Sequence, residues 1–156
     1  MPYYTQTDTF TSVRAGVIFE PTPEQSYYFS YSTSFNPSLE QLVSTTGTSQ
    51  LPPESNQGFE LGAKYELLNG NLSLNGALFQ ITKNNARTTN PDGTFSPTGT
   101  IRVQGARVGF AGRILPEWQV FGGYAYLDGR ILNGTAANTT GNVPLNTPKD
   151  SANLWT

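Results

Sequence analysis

Apolar and polar residues alternate along residues 58–83, GFELGAKYELLNGNLSLNGALFQITK, on both sides of a single Asn-Gly pair. Successive side chains of a β-strand point to opposite faces of the sheet. In the first half, one side carries Phe59, Leu61, Ala63 and Tyr65, and the other carries Glu60, Lys64 and Glu66. The pattern therefore predicts a β-hairpin with one apolar and one polar face.

The same two-residue period recurs along most of the chain, whereas helical periodicity is nearly absent. We predict seven strands, over residues 8–20, 25–35, 57–67, 71–84, 99–114, 117–131 and 148–156. Most exceed the usual strand length of about 5–6 residues. They match the roughly 9–11 residues that a tilted strand needs to cross a bilayer.

Each strand can be divided into an expected lipid face and an expected lumen face. The expected lipid-facing sets are Val13, Ala15, Val17 and Phe19, then Tyr27, Phe29, Tyr31 and Phe35, and in the sixth strand Phe121, Ala125, Leu127 and Ile131. The opposing sets are Ser12, Arg14 and Gly16, then Tyr28, Ser30, Ser32 and Ser34, and finally Tyr124, Tyr126, Asp128 and Arg130. The carboxylates Glu60, Glu66 and Asp128 are expected to face the lumen. The cations there, which are Arg14, Lys64, Arg107 and Arg130, are expected to pair with neighbouring charges.

The connections alternate in length. Residues 20–25, 67–71 and 115–118 form short turns built around Pro or Asn-Gly. The intervening connections, 36–56, 85–98 and 132–147, are long and rich in Thr, Ser, Asn, Gly and Pro. Outer-membrane barrels combine short periplasmic turns with long extracellular loops. The pattern favours an all-β, antiparallel up-and-down meander that forms part of a transmembrane β-barrel.

Two other architectures fit part of this pattern. A soluble antiparallel β-sandwich that binds a ligand also has strands with one apolar face. A small, complete eight-stranded barrel with a structural or adhesive role would need one more strand than the seven we count.

Composition removes several classes of function. The formal net charge is −2 and only 13% of residues are charged, without a Lys/Arg cluster, which argues against a nucleic-acid partner. Cysteine and histidine are absent, so Cys/His metal sites, thiol nucleophiles and histidine triads are excluded. We predict no catalytic residue, no metal ligand and no cofactor. The N-terminus lacks the features of a signal peptide, so either the chain stays inside the cell or its true N-terminus is missing.

Four segments resemble, in order, the barrel of TonB-dependent siderophore receptors. They are SYYFSYSTSFNPSLEQ (26–41), LPPESNQGFELGAKYELLNGNLSLNGALFQITKNNART (51–88), VQGARVGFAGRILPEWQVFGGYAYLDGRI (103–131) and NVPLNTPKDSANLWT (142–156). One departure is Arg107, where many relatives have Glu. The resemblance implies a barrel of about 22 strands around an N-terminal plug that TonB grips.

On this resemblance, residues 1–156 are a partial barrel domain that lacks the plug and the final strands, and Met1 is an internal start. The expected function is a wall segment of a ferric-siderophore receptor, in a bacterial outer membrane and energised by TonB through the missing plug. Membrane lipid is a further expected partner, and no enzymatic activity is expected. Siderophore contacts are assigned to Phe35, Phe95 and Tyr126 near the extracellular rim, and anchoring at the membrane interface explains each of these aromatic residues equally well or better. The iron is expected to be held by the siderophore.

Overall fold

The computed structural model describes residues 9–36, 52–89, 95–134 and 139–156. Seven strands cover most of these ranges: β1 Arg14–Thr22, β2 Gln25–Asn36, β3 Glu54–Leu67, β4 Leu72–Thr89, β5 Phe95–Leu115, β6 Trp118–Gly134 and β7 Asp150–Trp155. They form one antiparallel sheet in chain order. The predicted seven-stranded meander is confirmed, and the described strands form no second sheet of a sandwich.

Short turns join the strands at one end of the sheet, at residues 23–24, 68–71 and 116–117. We call this the turn end and the opposite end the loop end. The turn at 68–71 has left-handed backbone at Leu68, Asn69 and Gly70, with φ of 52°, 55° and 83°. Asn71 Nδ2 closes it by donating to the Leu68 carbonyl at 2.8 Å. The central parts of the long connections 36–56 and 132–147 lie outside the described residues.

The prediction of a long loop over residues 85–98 is wrong. β4 continues to Thr89 and β5 begins at Phe95, so most of this segment is a paired strand. Asn85 and Gly99 have positive φ values of 53° and 97°, and the register shifts beside Ala86. These irregularities interrupt the apolar-polar alternation without ending the pairing, which is why the pattern indicated a loop.

The strand register assigns every residue to one of two faces, because directly opposite residues in antiparallel strands share a face. One lateral row contains Val17, Phe29, Leu61, Leu78, Ala106 and Tyr126, and the neighbouring row contains Gly16, Ser30, Glu60, Phe79, Gly105 and Leu127. We call the first side the apolar face and the second the polar face. The predicted division is confirmed for the residues within β1, β2 and β3; Ser12 and Val13 precede β1, which begins at Arg14 and not at residue 8 as predicted.

The predicted orientation of the sixth strand is wrong. Tyr126 is opposite Ala106 and therefore belongs to the apolar face, together with Tyr124, Asp128 and Arg130. Leu127, with Phe121, Ala125 and Ile131, belongs to the polar face that carries Glu60 and Arg107. β6 has large side chains on both sides, so its composition does not identify the lipid side. The register with β5 does.

The apolar face has no covering layer among the described residues. Leu61 is 56% exposed, Leu78 60% and Val17 69%. Among the side chains that the structure describes, only four hydrophobic ones are buried, and two of these are alanines: Ala77, Ala86, Val120 and Ile131. Within the described ranges, no helix is long and apolar enough to span a membrane. A face this apolar and this exposed needs an apolar environment around it.

Candidate functional site

Three side chains form a hydrogen-bonded cluster at the centre of the polar face. Tyr28 donates its hydroxyl to Glu60 Oε1 at 2.6 Å. Arg107 Nη2 lies 2.9 Å from Glu60 Oε1 and 3.0 Å from Oε2. The Tyr28 ring lies over Gly62, where a Cβ atom would overlap it. Glycine at position 62 therefore lets the tyrosine reach across β3, and the three strands β2, β3 and β5 contribute one connected polar group.

Two of the predicted cations on the polar face, Lys64 and Arg107, pair with nearby carboxylates, whereas the structure shows no ion pair between Arg14 and a described carboxylate. Lys64 Nζ lies 2.7 Å from Glu66 Oε1 on the same strand, and Arg107 pairs with Glu60 across β4. Arg107, at which the sequence departs from the pattern expected from the resemblance, therefore has an acidic partner in this chain. Asp128 and Arg130 also pair, at 3.1 Å, but on the apolar face, so their predicted lumen location is wrong.

We expect Arg107→Glu to lower the free energy of unfolding, because it places two carboxylates together beside Tyr28. Both partners are partly solvent-exposed, with side-chain exposures of 53% and 27%, so the loss should be modest. Pairs of this kind contribute about 0.2–1 kcal/mol. A double-mutant cycle with Glu60→Gln, followed by denaturant unfolding of the intact receptor, measures the coupling. Arg113→Glu is the matched control, since Arg113 makes no ion pair with a described carboxylate; an equal effect of both Arg variants would contradict this pairing.

A second cluster forms at the loop end around Glu54, the first residue of β3 and only 8% exposed. Its Oε1 accepts the Arg87 backbone N–H at 3.0 Å, and its Oε2 accepts Asn36 Nδ2 at 3.3 Å. Lys83 Nζ lies 3.6 Å from the same Oε2. One buried carboxylate thus connects the last residue of β2, the start of β3 and the distal part of β4.

The backbone just before Glu54 is held by the same part of β4. Arg87 Nη2 donates to the Pro52 carbonyl at 2.6 Å, and Asn85 Nδ2 donates to the Pro53 carbonyl at 2.9 Å. The cluster therefore determines where the connection between β2 and β3 meets the sheet. Sequence reasoning assigned Glu54 no role, although the Pro-Pro-Glu run at 52–54 follows a long polar loop and precedes a strand.

We expect Glu54→Ala to destabilise the loop end by about 1–3 kcal/mol, because it leaves the Arg87 N–H and other donors without their acceptor. Glu54→Gln should cost less, since an amide oxygen still accepts one hydrogen bond. Protease cleavage between residues 37 and 51, followed in the intact receptor, should be faster in the Ala variant. Glu117→Ala, in the exposed turn at the other end of the sheet, is the control; equal cleavage of all variants would show that Glu54 does not hold this loop.

The three residues assigned to siderophore contacts lie on three different strands, β2, β5 and β6. Phe35 lies near the loop end of β2, stacked on Phe10 with ring centroids 4.3 Å apart. Tyr126 lies midway along β6 on the apolar face, with Lys149 Nζ 5.5 Å from its ring centroid. Phe95 begins β5, where the structure describes only the backbone. The role of these residues in ligand binding stays a prediction.

Comparison with known proteins identifies the architecture. A family model described as "TonB dependent receptor-like, beta-barrel" matches residues 2–156. The probable TonB-dependent receptor BfrD of Bordetella pertussis is 33% identical and is matched over 96% of this chain and 21% of its own. The probable TonB-dependent siderophore receptor PiuA of Acinetobacter baumannii is 32% identical, over 94% of this chain and 22% of its own.

Solved structures of related receptors have the same fold over the length of this chain. The ferric-catecholate import receptor Fiu of Escherichia coli superposes with a TM-score of 0.74 at 30% identity, covering 91% of this chain and 21% of the receptor. PiuA gives 0.75 at 31% identity, covering 91% and 23%. This chain thus spans about a fifth of the length of these relatives. It belongs to the family of TonB-dependent receptor-like β-barrels and is a segment of the wall of such an outer-membrane barrel.

Proposed function

We propose that this chain forms part of the wall of a receptor that imports a ferric siderophore with energy supplied by TonB. The proposal is supported by the family match over residues 2–156 and by relatives named as siderophore receptors. In this role the polar face lines the lumen, the apolar face contacts membrane lipid and the loop end meets the siderophore. No nucleic acid takes part.

We also propose that the barrel is completed by strands and a plug outside these 156 residues. In the described sheet, β1 pairs only with β2 and β7 only with β6, so both edges are open. Closed barrels leave no such edges in lipid. A plug packed against the polar face would also cover the cluster of Tyr28, Glu60 and Arg107.

The proposed role requires no catalysis by this segment. The relatives are named as receptors. The carboxylates of Glu60 and Glu66 on the polar face, and that of Glu54 at the loop end, already bind cations or hydrogen-bond donors of the same sheet. These contacts account for the carboxylates as structural groups.

Uptake of radioactive iron tests the receptor proposal directly. Cells that lack their own siderophore receptors should take up iron-55 bound to a catecholate siderophore when they express the intact receptor containing this segment. Uptake should cease when TonB is deleted, while surface binding of the complex continues. A panel with hydroxamate siderophores identifies the ligand class. Neither binding nor uptake with any of these complexes, from a correctly folded barrel, would refute the proposal.

Sidedness is a separate prediction for the same receptor. Outer-membrane barrels keep their short turns in the periplasm. An epitope inserted between residues 40 and 52 should therefore react with antibody on intact cells. The same epitope between Asn69 and Gly70 should react only after the outer membrane is permeabilised. The opposite result would show that the loop end faces the periplasm.

A further inference from the structure

Tight turns fix the register of some strand pairs but not of others. The turns at residues 23–24, 68–71 and 116–117 join β1 to β2, β3 to β4 and β5 to β6, and each gives a hairpin whose register follows from its turn. Residues 37–53 separate β2 from β3, and the pairing of β4 with β5 contains register shifts beside Ala86. Contacts between side chains must therefore fix the register of one hairpin against the next.

The apolar face distinguishes only weakly between the observed register and a slip by two residues. A one-residue slip would exchange the two faces, but a two-residue slip keeps every side chain on its own face. Phe29 is opposite Leu61 in the structure. After a two-residue slip it would be opposite Phe59 or Ala63, which are also apolar. Another feature must therefore select the observed register of β2 and β3.

The polar face does distinguish these registers. Tyr28 is opposite Gly62, and its ring occupies the space that a Cβ atom at position 62 would need. From there the hydroxyl donates to Glu60 Oε1 at 2.6 Å. A two-residue slip would place Glu60 or Lys64 opposite Tyr28, and each has a side chain where the ring now lies. Neither slipped register lets the tyrosine lie flat on β3 and reach the carboxylate.

Arg107 makes the same distinction between β4 and β5. It is opposite Ala77, which is only 7% exposed, and its Nη2 lies 2.9 Å from Glu60 Oε1 on the far side of β4. One two-residue slip would place Arg107 opposite Phe79, which is itself opposite Glu60, so that the phenyl ring would stand between the charges. The other slip would place Arg107 opposite Asn75, about 13 Å along the sheet from the row of Glu60. Neither slipped register permits the observed ion pair.

We propose that Tyr28, Glu60 and Arg107 fix the register in which the hairpin of β3 and β4 joins its two neighbours. Glu60 is the shared acceptor, so one carboxylate aligns β2 on one side and β5 on the other. The small residues Gly62 and Ala77 admit the two longer side chains from opposite directions. Hydrogen bonds to a charged group contribute more than neutral ones, so a slip that loses both is disfavoured. This role concerns assembly of the wall and is independent of the siderophore and of TonB.

Disulfide trapping in the intact receptor tests this role. Opposite residues in antiparallel strands have Cα atoms about 4.5–5.5 Å apart, within the range of a disulfide, whereas diagonal neighbours lie about 7–8 Å apart. Ser34→Cys with Asn56→Cys reports the observed register, since the two residues are opposite each other. Ser34→Cys with Gly58→Cys reports a two-residue slip, and a Cβ atom at position 58 has ordinary contact distances. Peptide mapping of the oxidised receptor measures the disulfide yield of each pair.

Glu60→Ala should raise the ratio of slipped to observed disulfide about tenfold or more, because the observed register then loses its two hydrogen bonds to the carboxylate. Gly62→Ala should raise the ratio in the same direction, since the new Cβ atom displaces the Tyr28 ring. Glu66→Ala is the matched control. Glu66 is on the same strand and face, but its ion pair is with Lys64 of its own strand, so the ratio should keep its wild-type value.

An unchanged ratio in Glu60→Ala would overturn the proposal. An equal rise in Glu66→Ala would also overturn it, since the loss of either carboxylate would then loosen the sheet to the same extent. Tyr28→Phe keeps the ring over Gly62 and removes only the hydroxyl, and it serves if Glu60→Ala does not assemble. It should give a smaller rise in the ratio than Gly62→Ala, and no rise in either variant would contradict the proposal.

Discussion

Residues 1–156 produced alone are expected to aggregate or be degraded, and not to form a membrane-inserted monomer. Among the described residues, the sheet has open edges along β1, of nine residues, and β7, of six. In lipid, each backbone group without a hydrogen-bond partner costs several kcal/mol, so an open sheet cannot span the bilayer. In water, the exposed apolar face and the two edges favour association between copies.

Refolding into detergent measures this outcome. The isolated chain should elute as large or heterogeneous species and show no shift in electrophoretic mobility between heated and unheated samples. It should also fail to restore siderophore-dependent growth to a strain without its receptor. The intact receptor, refolded in the same way, is the control. A monomeric, heat-modifiable species would show that the chain closes on itself, and would favour the small complete barrel.

Replacing Leu61 with Arg in the intact receptor should lower its stability by about 2–4 kcal/mol if the residue lies near the bilayer midplane. Leu61 is on the apolar face, between Phe29 and Leu78 in its lateral row, and 56% of it is exposed. A charge at this position would be surrounded by hydrocarbon and by apolar side chains. Only the ends of the strand offer water to the guanidinium.

Ser30→Arg is the matched control, because Ser30 opposes Glu60 in the neighbouring row of the polar face. The new cation would meet a carboxylate and the aqueous lumen, so the change in stability should be small. Denaturant unfolding of both variants in lipid vesicles compares the two faces at nearly the same depth. Equal losses, or a larger loss for Ser30→Arg, would show that the faces are assigned the wrong way round.

The local sequence pattern was sufficient to predict a strand and its two faces where one face of the strand is uniformly apolar. In β3, Leu61 and Ala63 alternate with Glu60 and Lys64, and this alternation predicted both the strand and its two faces. Because successive side chains of a strand point to opposite sides, the apolar pair must lie on one face and the charged pair on the other. The Asn69-Gly70 pair likewise predicted its turn, since it readily adopts left-handed backbone. Resemblance to the receptor family then indicated the barrel.

Local pattern was insufficient where both faces carry large side chains. β6 presents Phe121 and Leu127 on one side and Tyr124 and Tyr126 on the other, and the greater hydrophobicity of the first set suggested the wrong orientation. Similarly, the bulge beside Ala86 interrupts the apolar-polar alternation. The sequence pattern therefore did not predict the last residues of β4 or the first residues of β5 as strand. In both cases the neighbouring strand, through its hydrogen-bond register, decides the structure.

By itself, the sequence determined the all-β class, the seven strands, the short turns and the two-faced character of β1 to β3, because each follows from side chains a few residues apart. The tertiary structure alone decided which residues meet across strands. Glu60 contacts Arg107 from 47 positions away, and Glu54 accepts the backbone N–H of Arg87 from 33 positions away. Register is a collective property of paired strands, so these contacts and the orientation of β6 have no local signature in the chain.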